Sequence, residues 1–251
     1  MRPDPSISYA TASTPGQVNE DYVAAGQDWA VILDGATAPA GVNSGCVHTV
    51  RWLVERLAAA VATRLILSDT SPLPSLLAAG IDQTRGAHAA TCDLANPDSP
   101  SSTISIVRVR GDSLDYLTLG DSPIVLRHRN RTITPIADDR ASHLPGGPPY
   151  TTELVRAHRN TAGGFWVAST DPQAAYQAIS GTESLVTIAE VGLFTDGITR
   201  LHDWYGHSWP AIFSILRSHG PASLISLVRA AERERPHPYA KWHDDATAVY
   251  L

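Results

Sequence analysis

The sequence predicts an α+β domain in which strands and helices form separate layers. Apolar runs typical of strands occur near both ends of the chain and in its middle, and two groups of helical segments separate them. The order is therefore strands, two helices, strands, helices and a final strand. An alternating parallel sheet would place a helix after each strand, so this order favours a layered α+β domain.

The first half of the chain contains one clear strand and two predicted helices. Residues 29–33 form an apolar run that ends in Asp34-Gly35, which is typical of a buried strand entering a turn. Between residues 44 and 67, apolar side chains recur at three-to-four-residue spacing and predict a helix with one buried face. A second helix is predicted over residues 73–94.

The second half combines strands, a long loop and helices. Three β-type runs joined by the turn dipeptides Gly111-Asp112 and Gly120-Asp121 predict an antiparallel meander. Residues 138–164 are polar and rich in Pro and Gly, so we expect a long surface loop of the kind that often serves a site. The remaining predicted elements are strands 165–169, 185–189 and 192–195, helices 209–218 and 222–233, and a closing strand, 246–251. The chain shows no repeat or linker, and we expect a single domain over residues 1–251.

Composition limits the classes of function. The chain has 251 residues, 43% of them hydrophobic and 18% charged, as in globular proteins. Its formal net charge of -6 gives no electrostatic footprint for nucleic acid. The longest apolar run, 57–67, is broken by Arg64, so no membrane span or membrane partner is expected. The N-terminus has no apolar signal-peptide core, which favours a cytoplasmic protein.

Cysteine and histidine give no metal motif at the level of sequence. Cys46 and Cys92 are the two cysteines, and nothing in their spacing favours a disulfide or a zinc site, so both are predicted to be reduced. The ten histidines show no zinc-protease spacing. His243 stands beside Asp244, where it is either a polar neighbour or a group that transfers protons.

Carboxylates stand at the ends of four β-type runs. These are Glu20 with Asp21, Asp34, Asp196, and Asp244 with Asp245. Each one alone also fits an ordinary turn or strand cap. Together they can converge at one rim of a sheet, and such a rim offers the oxygen ligands that Mg²⁺ and Mn²⁺ prefer.

In their order and flanking residues, these motifs resemble the metal-dependent protein phosphatases of the protein phosphatase 2C type. The matching pieces are Asn19-Glu20-Asp21, Ile32-Leu33-Asp34-Gly35, Thr103-Ile104, Leu119-Gly120-Asp121-Ser122, Phe194-Thr195-Asp196-Gly197-Ile198 and Asp244-Asp245-Ala246-Thr247. The resemblance runs from about residue 7 to residue 251. It implies an αββα sandwich, in which two antiparallel sheets pack face to face and helices flank them.

The resemblance also implies a centre of two divalent cations, Mn²⁺ or Mg²⁺, and no organic cofactor. Asp34 would bridge the two ions, and the backbone carbonyl of Gly35 would bind the first. Asp196 and Asp244 would bind the second. Two cations about 3.5–4 Å apart lower the pKa of a bound water and neutralise charge on phosphoryl oxygens.

The resemblance also implies which residues are catalytic, and at one of these positions the chain departs from the family pattern. Glu20 and Asp21 would orient metal-bound waters, and Asp21 would also lie near the nucleophile. The family's phosphate-binding arginine, four residues before the glutamate, is Gly16 here.

A second departure falls at Arg200. Of the two ligands for a third metal found in some members, one matches Asp121, and Arg200 replaces the other. We hypothesise that Arg200 takes over part of the phosphate-binding role, since a guanidinium pairs well with phosphate. The alternative is that Arg200 faces solvent or pairs with Asp203.

The predicted function is hydrolysis of phosphoserine and phosphothreonine monoesters in proteins by a water activated between two metals. A catalytically weak family member that binds a phosphorylated partner or a metal as a regulatory module is one alternative, motivated by Gly16 and Arg200. A phosphatase of small phosphorylated metabolites is the other, which the unusual loop after Gly41 leaves open. The preceding segment, from Ala36 to Gly41, also departs from the family pattern, so the approach to the site differs.

Overall fold

The computed structural model describes residues 6–36, 41–147, 149–236 and 241–251. The strands in these ranges are β1 (Ser8–Ala12), β2 (Tyr22–Ala25), β3 (Trp29–Ala36), β4 (Ser101–Arg110), β5 (Ser113–Leu119), β6 (Ile124–His128), β7 (Ile133–Ile136), β8 (Ile179–Ser184), β9 (Ile188–Phe194) and β10 (Ala246–Tyr250). The α-helices are α1 (Val50–Ile66), α2 (Leu73–His88), α3 (Thr152–His158), α4 (Asp196–Asp203), α5 (Trp209–His219) and α6 (Pro221–Glu234).

The strands form two antiparallel sheets. Sheet I has the order β1-β10-β9-β6-β7, and sheet II has the order β2-β3-β4-β5-β8. Helices α1 and α2 pack on the outer face of sheet II, whereas α4, α5 and α6 pack on the outer face of sheet I. A third apolar core fills the space between the sheets. The predicted αββα sandwich is confirmed.

Strand β3 shows why the apolar run of residues 29–33 is continuous. The strand lies between β2 and β4, so both of its faces are covered. Val31 and Leu33 point into the core shared with α1 and α2, while Ala30 and Ile32 point into the core between the sheets. Alternate side chains of a strand face opposite sides, and here both sides are apolar.

Helix α1 begins later than its periodicity predicts. Thr49 caps the helix by accepting a hydrogen bond from the backbone N–H of Trp52 at 3.2 Å, and residues 41–49 form no helix. Gly45 adopts a left-handed backbone with φ +67°, which interrupts any helix starting at residue 44. Helix α2 likewise ends at His88 and not at residue 94.

The second half differs from its prediction at four places. Residues 165–169 make only isolated bridges, such as Ser102 with Ala168, and no strand. The short strands β7 and β8 were not predicted, because β8 is largely polar and lies at a sheet edge. The predicted strand 185–189 is largely the turn between β8 and β9. The helix α4 was not predicted, because its opening Asp196-Gly197 has the pattern of a turn.

The long segment 138–164 is partly folded. It contains a 3₁₀ turn, Arg140–His143, and helix α3. Arg156 joins it to the preceding loop through an ion pair of 2.6 Å with Asp98. Residue 148 of this segment, and residues 37–40 in the stretch that departs from the family pattern, lie outside the described residues.

Candidate metal centre

Strand ends from both sheets bring the predicted carboxylates to one rim. Asp34 lies in β3 of sheet II, opposite Thr103 of β4. Asp196 is the first residue of α4, directly after β9, and Asp244 stands just before β10 in sheet I. Burial and then the negative charges of Asp196, Asp21, Asp121 and Asp244 raise the pKa of Asp34 well above its ordinary value. These carboxylates therefore lie within electrostatic reach of one another.

The rim opens into a cavity of about 650 Å³. Its walls come from the segment before β2, from the end of β3 and from the segment before β10. The lining residues are Thr14, Pro15, Gln17, Val18, Glu20, Asp34, Gly35, Lys241, Trp242, His243, Asp244 and Asp245. The cavity is thus lined by several carboxylates and one lysine.

Asp21 is held rigidly below this cavity. Its carboxylate is 1% exposed, and its Oδ2 accepts hydrogen bonds from the hydroxyls of Thr195 at 2.8 Å and Thr247 at 2.7 Å. Its Oδ1 has no hydrogen-bond partner within the described ranges. Burial raises the pKa of Asp21 to about 8, against the opposing effect of the two hydroxyls. A bound cation, or a water molecule held by it, would satisfy a buried carboxylate oxygen that has no hydrogen-bond donor.

Asp196, like Asp21 and Asp34, has a raised pKa. Burial and the charges of Asp244 and Asp121 raise the pKa of Asp196 to about 7, although Arg200 and Lys241 oppose the shift. Without a cation, several of these carboxylates cannot all be ionised at neutral pH at low cost. The donor set, all carboxylate oxygens, fits hard divalent cations.

Two glycines allow the backbone segments of the rim to approach one another. A Cβ on Gly35 would lie 2.4 Å from Cγ1 of Val50 and 2.8 Å from the carbonyl oxygen of Glu20. A Cβ on Gly197 would lie 1.9 Å from the carbonyl oxygen of Asp245. Any side chain at either position would push the neighbouring backbone segments apart. The glycines of the two Asp-Gly pairs are therefore needed for close packing as well as for the turn of the chain.

Asp245 organises the segment that carries Glu20. Its Oδ1 accepts a hydrogen bond from the backbone N–H of Thr14 at 2.7 Å, and its Oδ2 accepts one from the N–H of Glu20 at 2.5 Å. Arg51 of α1 adds a hydrogen bond of 2.8 Å to the carbonyl oxygen of Asn19. Sequence reasoning placed Asp245 in the motif but gave it no role. Its position beside Asp244 was the available signal.

Arg200 does not face the cavity. Its side chain is 5% exposed, with Nη1 2.7 Å from Oε1 of Glu232 and Nη2 2.8 Å from Oδ2 of Asp244. Its guanidinium also lies over the ring of Trp204, 4.7 Å from the centroid. Both terminal nitrogens are thus paired with carboxylates, and neither of these is Asp203. This geometry supports a role in positioning Asp244 and argues against direct binding of phosphate.

Glu232 of α6 is the centre of a buried charge cluster that sequence reasoning missed. It is 0% exposed and also contacts Nη1 of Arg229 at 3.0 Å and Nδ1 of His243 at 2.6 Å. Glu232 lies 32 positions from Arg200 in the sequence, on a helix whose pattern indicates only packing. No local motif could have revealed it.

Lys241 stands at the mouth of the cavity. It is the only lysine in the sequence, and its side chain is 74% exposed. Its Nζ lies 3.3 Å from Oδ1 of Asp244. Partial burial opposes the charged form, but Asp244, Asp196 and Asp34 raise the pKa of Lys241. The ammonium therefore remains charged beside the carboxylate rim.

A two-sheet sandwich with an acidic rim at the strand ends is the arrangement that a metal-dependent phosphatase would need. The family model described as Protein phosphatase 2C matches residues 10–229, which is most of the chain. This protein belongs to the protein phosphatase 2C family. Among the curated proteins, none matches the sequence.

Solved structures that include two serine/threonine phosphatases share the fold. The catalytic domain of the serine/threonine phosphatase PstP in complex with two manganese ions superposes with a TM-score of 0.59 at 20% identity, covering 97% of this chain and 96% of that chain. Stp1 from Staphylococcus aureus gives 0.63 at 15% identity, covering 97% and 93%. PppA from Pseudomonas aeruginosa gives 0.57 at 16% identity, covering 97% and 96%. In the described part of this chain, no helix is long and apolar enough to cross a membrane.

Proposed function

We propose that this protein is a serine/threonine phosphatase that uses two divalent cations, Mn²⁺ or Mg²⁺, at the acidic rim. The observation that carries the proposal is the gathering of Asp21, Asp34, Asp196 and Asp244 at one rim, where burial and then mutual repulsion raise the pKa values of Asp21, Asp34 and Asp196. A regulatory module that only binds a phosphorylated partner has no need of so many mutually repelling carboxylates. Phosphatase relatives with the same fold support the substrate class.

The proposed ligands are the carboxylates of Asp34, Asp196 and Asp244 and the backbone carbonyl of Gly35. Cations bound there would lower the pKa of a water molecule and neutralise charge on the phosphoryl oxygens. The chain supplies the geometry. Asp34 lies in β3 of sheet II, and Asp196 and Asp244 stand next to the ends of the sheet I strands β9 and β10, so the proposed centre lies between strand ends of the two sheets.

Asp21 and Glu20 are proposed to orient water. Thr195 and Thr247 occupy Oδ2 of Asp21, which leaves Oδ1 as the atom able to accept a hydrogen bond from an attacking water. Glu20 lines the cavity, and Asp245 fixes its backbone. These contacts hold the acceptors still, so the water's orientation is set before substrate arrives.

Lys241 is proposed to bind the substrate phosphate. Gly16 supplies no charge at the position of the family's arginine, and the guanidinium of Arg200 is paired with Glu232 and Asp244. Among the described residues that line the cavity, Lys241 is the only lysine or arginine. Its exposed ammonium can exchange Asp244 for a phosphoryl oxygen once cations neutralise the carboxylate.

The test is hydrolysis of a phosphoserine peptide and of a generic aryl phosphate by metal-free protein, before and after addition of Mn²⁺. We expect turnover only with the ion. Asp34→Asn and Asp196→Asn should each lower kcat by at least about a hundredfold, while circular dichroism shows an intact fold. The matched control is Asp28→Asn, an exposed aspartate in the turn before β3, which should keep full activity.

Two results would contradict the proposal. Full turnover in chelator would exclude a metal-dependent reaction. Unchanged rates in both rim variants would leave only the regulatory-module alternative. If small phosphorylated metabolites were hydrolysed efficiently and the phosphopeptide were not, the metabolite phosphatase would replace the protein phosphatase.

A further inference from the structure

Two cysteines and a histidine meet at a second place in the fold. Cys46 lies in the irregular segment before α1, His88 is the last residue of α2, and Cys92 follows four positions later. The Sγ atoms of both cysteines and a ring nitrogen of His88 all lie within 4.8 Å of one another. Cys46 Sγ is 3.5 Å from Nδ1 of His88. The cluster shares no residue with the acidic rim.

The backbone holds this juxtaposition independently of the thiols. The N–H of Asp93 donates a hydrogen bond of 2.8 Å to the carbonyl oxygen of Gly45, and the side-chain amide of Asn96 donates one of 3.1 Å to the carbonyl oxygen of Asn43. A Cβ on Gly45 would lie 2.7 Å from Nδ2 of Asn96. The segment before α1 is therefore fitted against residues 93–96, and Cys46 is carried to Cys92 and His88.

The three side chains are suited to a borderline or soft metal ion. His88 is 1% exposed, and burial lowers its pKa, so its imidazole is neutral and offers a lone pair. Burial raises the pKa of the Cys46 thiol to about 11, whereas the pKa of Cys92 is lowered, against the effect of burial, by its hydrogen bonds with Cys46 and Thr91. Cys92 therefore ionises first, and the Cys46 proton is displaced by the metal ion itself. Thiolate and imidazole select Zn²⁺, whereas Mn²⁺ and Mg²⁺ prefer oxygen ligands. The cluster and the acidic rim therefore differ in the ions they would take.

We propose that Cys46, Cys92 and His88 form a zinc site, with two thiolate ligands, Nδ1 of the imidazole as the third, and a fourth position open to water. Binding of Zn²⁺ forms two Zn–S bonds and one Zn–N bond and displaces the two thiol protons to solvent. The imidazole proton then resides on Nε2, which has no partner in the described part of the chain.

Such a site would fix the segment that leads into α1 to the end of α2. That segment is followed by Val50, which packs on Gly35, and by Arg51, which holds the carbonyl oxygens of Asn19 and Asp21. Zinc would therefore stabilise the start of a helix that braces the acidic rim. The proposed phosphatase activity does not depend on this argument.

The test uses reduced, metal-free protein with both thiols free by quantitation, titrated with Co²⁺ and then with Zn²⁺. Co²⁺ bound to thiolate gives a ligand-to-metal charge-transfer band in the near ultraviolet, which carboxylate ligands cannot produce. We expect the band to reach its plateau at one thiolate-bound Co²⁺ per chain and to disappear when Zn²⁺ replaces it. The variants Cys46→Ser and Cys92→Ser should each lose the band, and His88→Gln should weaken it.

Matched controls separate this site from the acidic rim. Asp34→Asn should keep the band, as should His128→Gln, which removes an unrelated histidine. In the unaltered chain, Zn²⁺ should protect both thiols from alkylation, a measurement that requires no variant to fold. Absence of the band in the reduced chain, unprotected thiols in saturating Zn²⁺, or a Cys46–Cys92 disulfide that forms in glutathione buffer in the presence of Zn²⁺ would each overturn the proposal.

Discussion

At the scale of single residues, positive charge around the rim is divided between two side chains with different surroundings. Arg200 is buried and satisfied by two carboxylates, whereas Lys241 is exposed and makes one long contact with Asp244. A buried guanidinium with both ends paired is expensive to redirect, because its partners would be left uncompensated. An exposed ammonium can change partners at little cost.

Replacement of Lys241 by alanine should therefore raise KM more than it lowers kcat. A hydrogen bond to a charged group contributes about 1.5–3 kcal/mol, so we expect KM to rise roughly tenfold to a hundredfold. Lys241→Arg should recover part of the loss, and Arg85→Ala, which removes an exposed charge from α2, should have no effect. The measurement is steady-state kinetics with an aryl phosphate in saturating Mn²⁺. An unaltered KM in Lys241→Ala would leave phosphate to be bound by the cations alone.

Some residues of the site were predictable from the sequence, whereas the contacts of others were not. The carboxylate positions could be predicted, since each interrupts an apolar run at a strand end. The partner of Arg200 could not, because sequence distance indicated Asp203, while the fold supplies Glu232 and Asp244. The pairing of Cys46 with His88 and Cys92 was missed for the same reason. Its spacing matches no motif, and only the docking of two loops creates it.

At the scale of elements, α6 reaches across to the rim through one side chain. Glu232 binds Arg200 of α4 and both Arg229 and His243, so it joins two helices to the segment before β10. The apolar face of α6 packs against sheet I, and Glu232 is the charged exception on that face. Removal of one member of a buried ionic cluster leaves the others unpaired, which is the costly change.

Glu232→Ala should lower the free energy of unfolding by about 3–5 kcal/mol. It should also weaken Mn²⁺ binding, because Arg200 is then free to hold Asp244 more tightly. The matched control is Glu234→Ala, two positions on in the same helix and exposed, for which we expect almost no change. Urea denaturation gives the stability, and calorimetric titration gives the affinity. Equal stability of the two variants would show that the cluster around Glu232 contributes nothing.

Elements were predictable where packing follows periodicity. Strand β3 and helices α5 and α6 agree with their apolar patterns to within a few residues. The start of α1 was misplaced because Gly45 needs a left-handed backbone that apolar spacing does not reveal. Helix α4 was missed because its first residues also fit a turn, and its helical state depends on packing against α6 and β10.

At the scale of the whole molecule, folding brings several carboxyl groups together where the two sheets meet. Folding raises the pKa of Asp21 to about 8 and that of Asp196 to about 7, from an ordinary value of 3.8. Between these limits the folded chain binds more protons than the unfolded chain, so its stability falls as pH rises. By contrast, the pKa of Asp115 is lowered to about 2 despite burial, chiefly by its hydrogen bond with Arg110, so its contribution is already constant above about pH 5.

In chelator, we therefore expect the melting temperature to fall between pH 6 and pH 8 more steeply in the unaltered chain than in Asp21→Asn. The comparison between the two proteins is needed because His88, with its lowered pKa, acts in the opposite direction near its ordinary pKa of 6.5. Saturating Mn²⁺ should remove the loss of stability or reverse it, since the ion binds ionised carboxylates. Identical slopes in chelator would contradict the raised pKa of Asp21 in the folded chain.

The whole site could be anticipated only through the ordered set of motifs. Composition and periodicity predicted layers of strands and helices, but they do not show that β3 and β10 belong to different sheets. The resemblance to the protein phosphatase 2C family implied two packed antiparallel sheets, which the described fold confirms, and the structure alone assigns β3 and β10 to different sheets. The cavity's own chemistry, including Lys241 and the cluster around Glu232, depends on contacts that no motif encodes.

The presence of one lysine in the chain makes the cavity directly observable. A sample grown with isotopically labelled lysine would give a single side-chain resonance in an NMR spectrum, and that signal would come from the mouth of the acidic rim. Its chemical shift would report on ions and phosphate as they enter, without any added probe and at every stage of turnover.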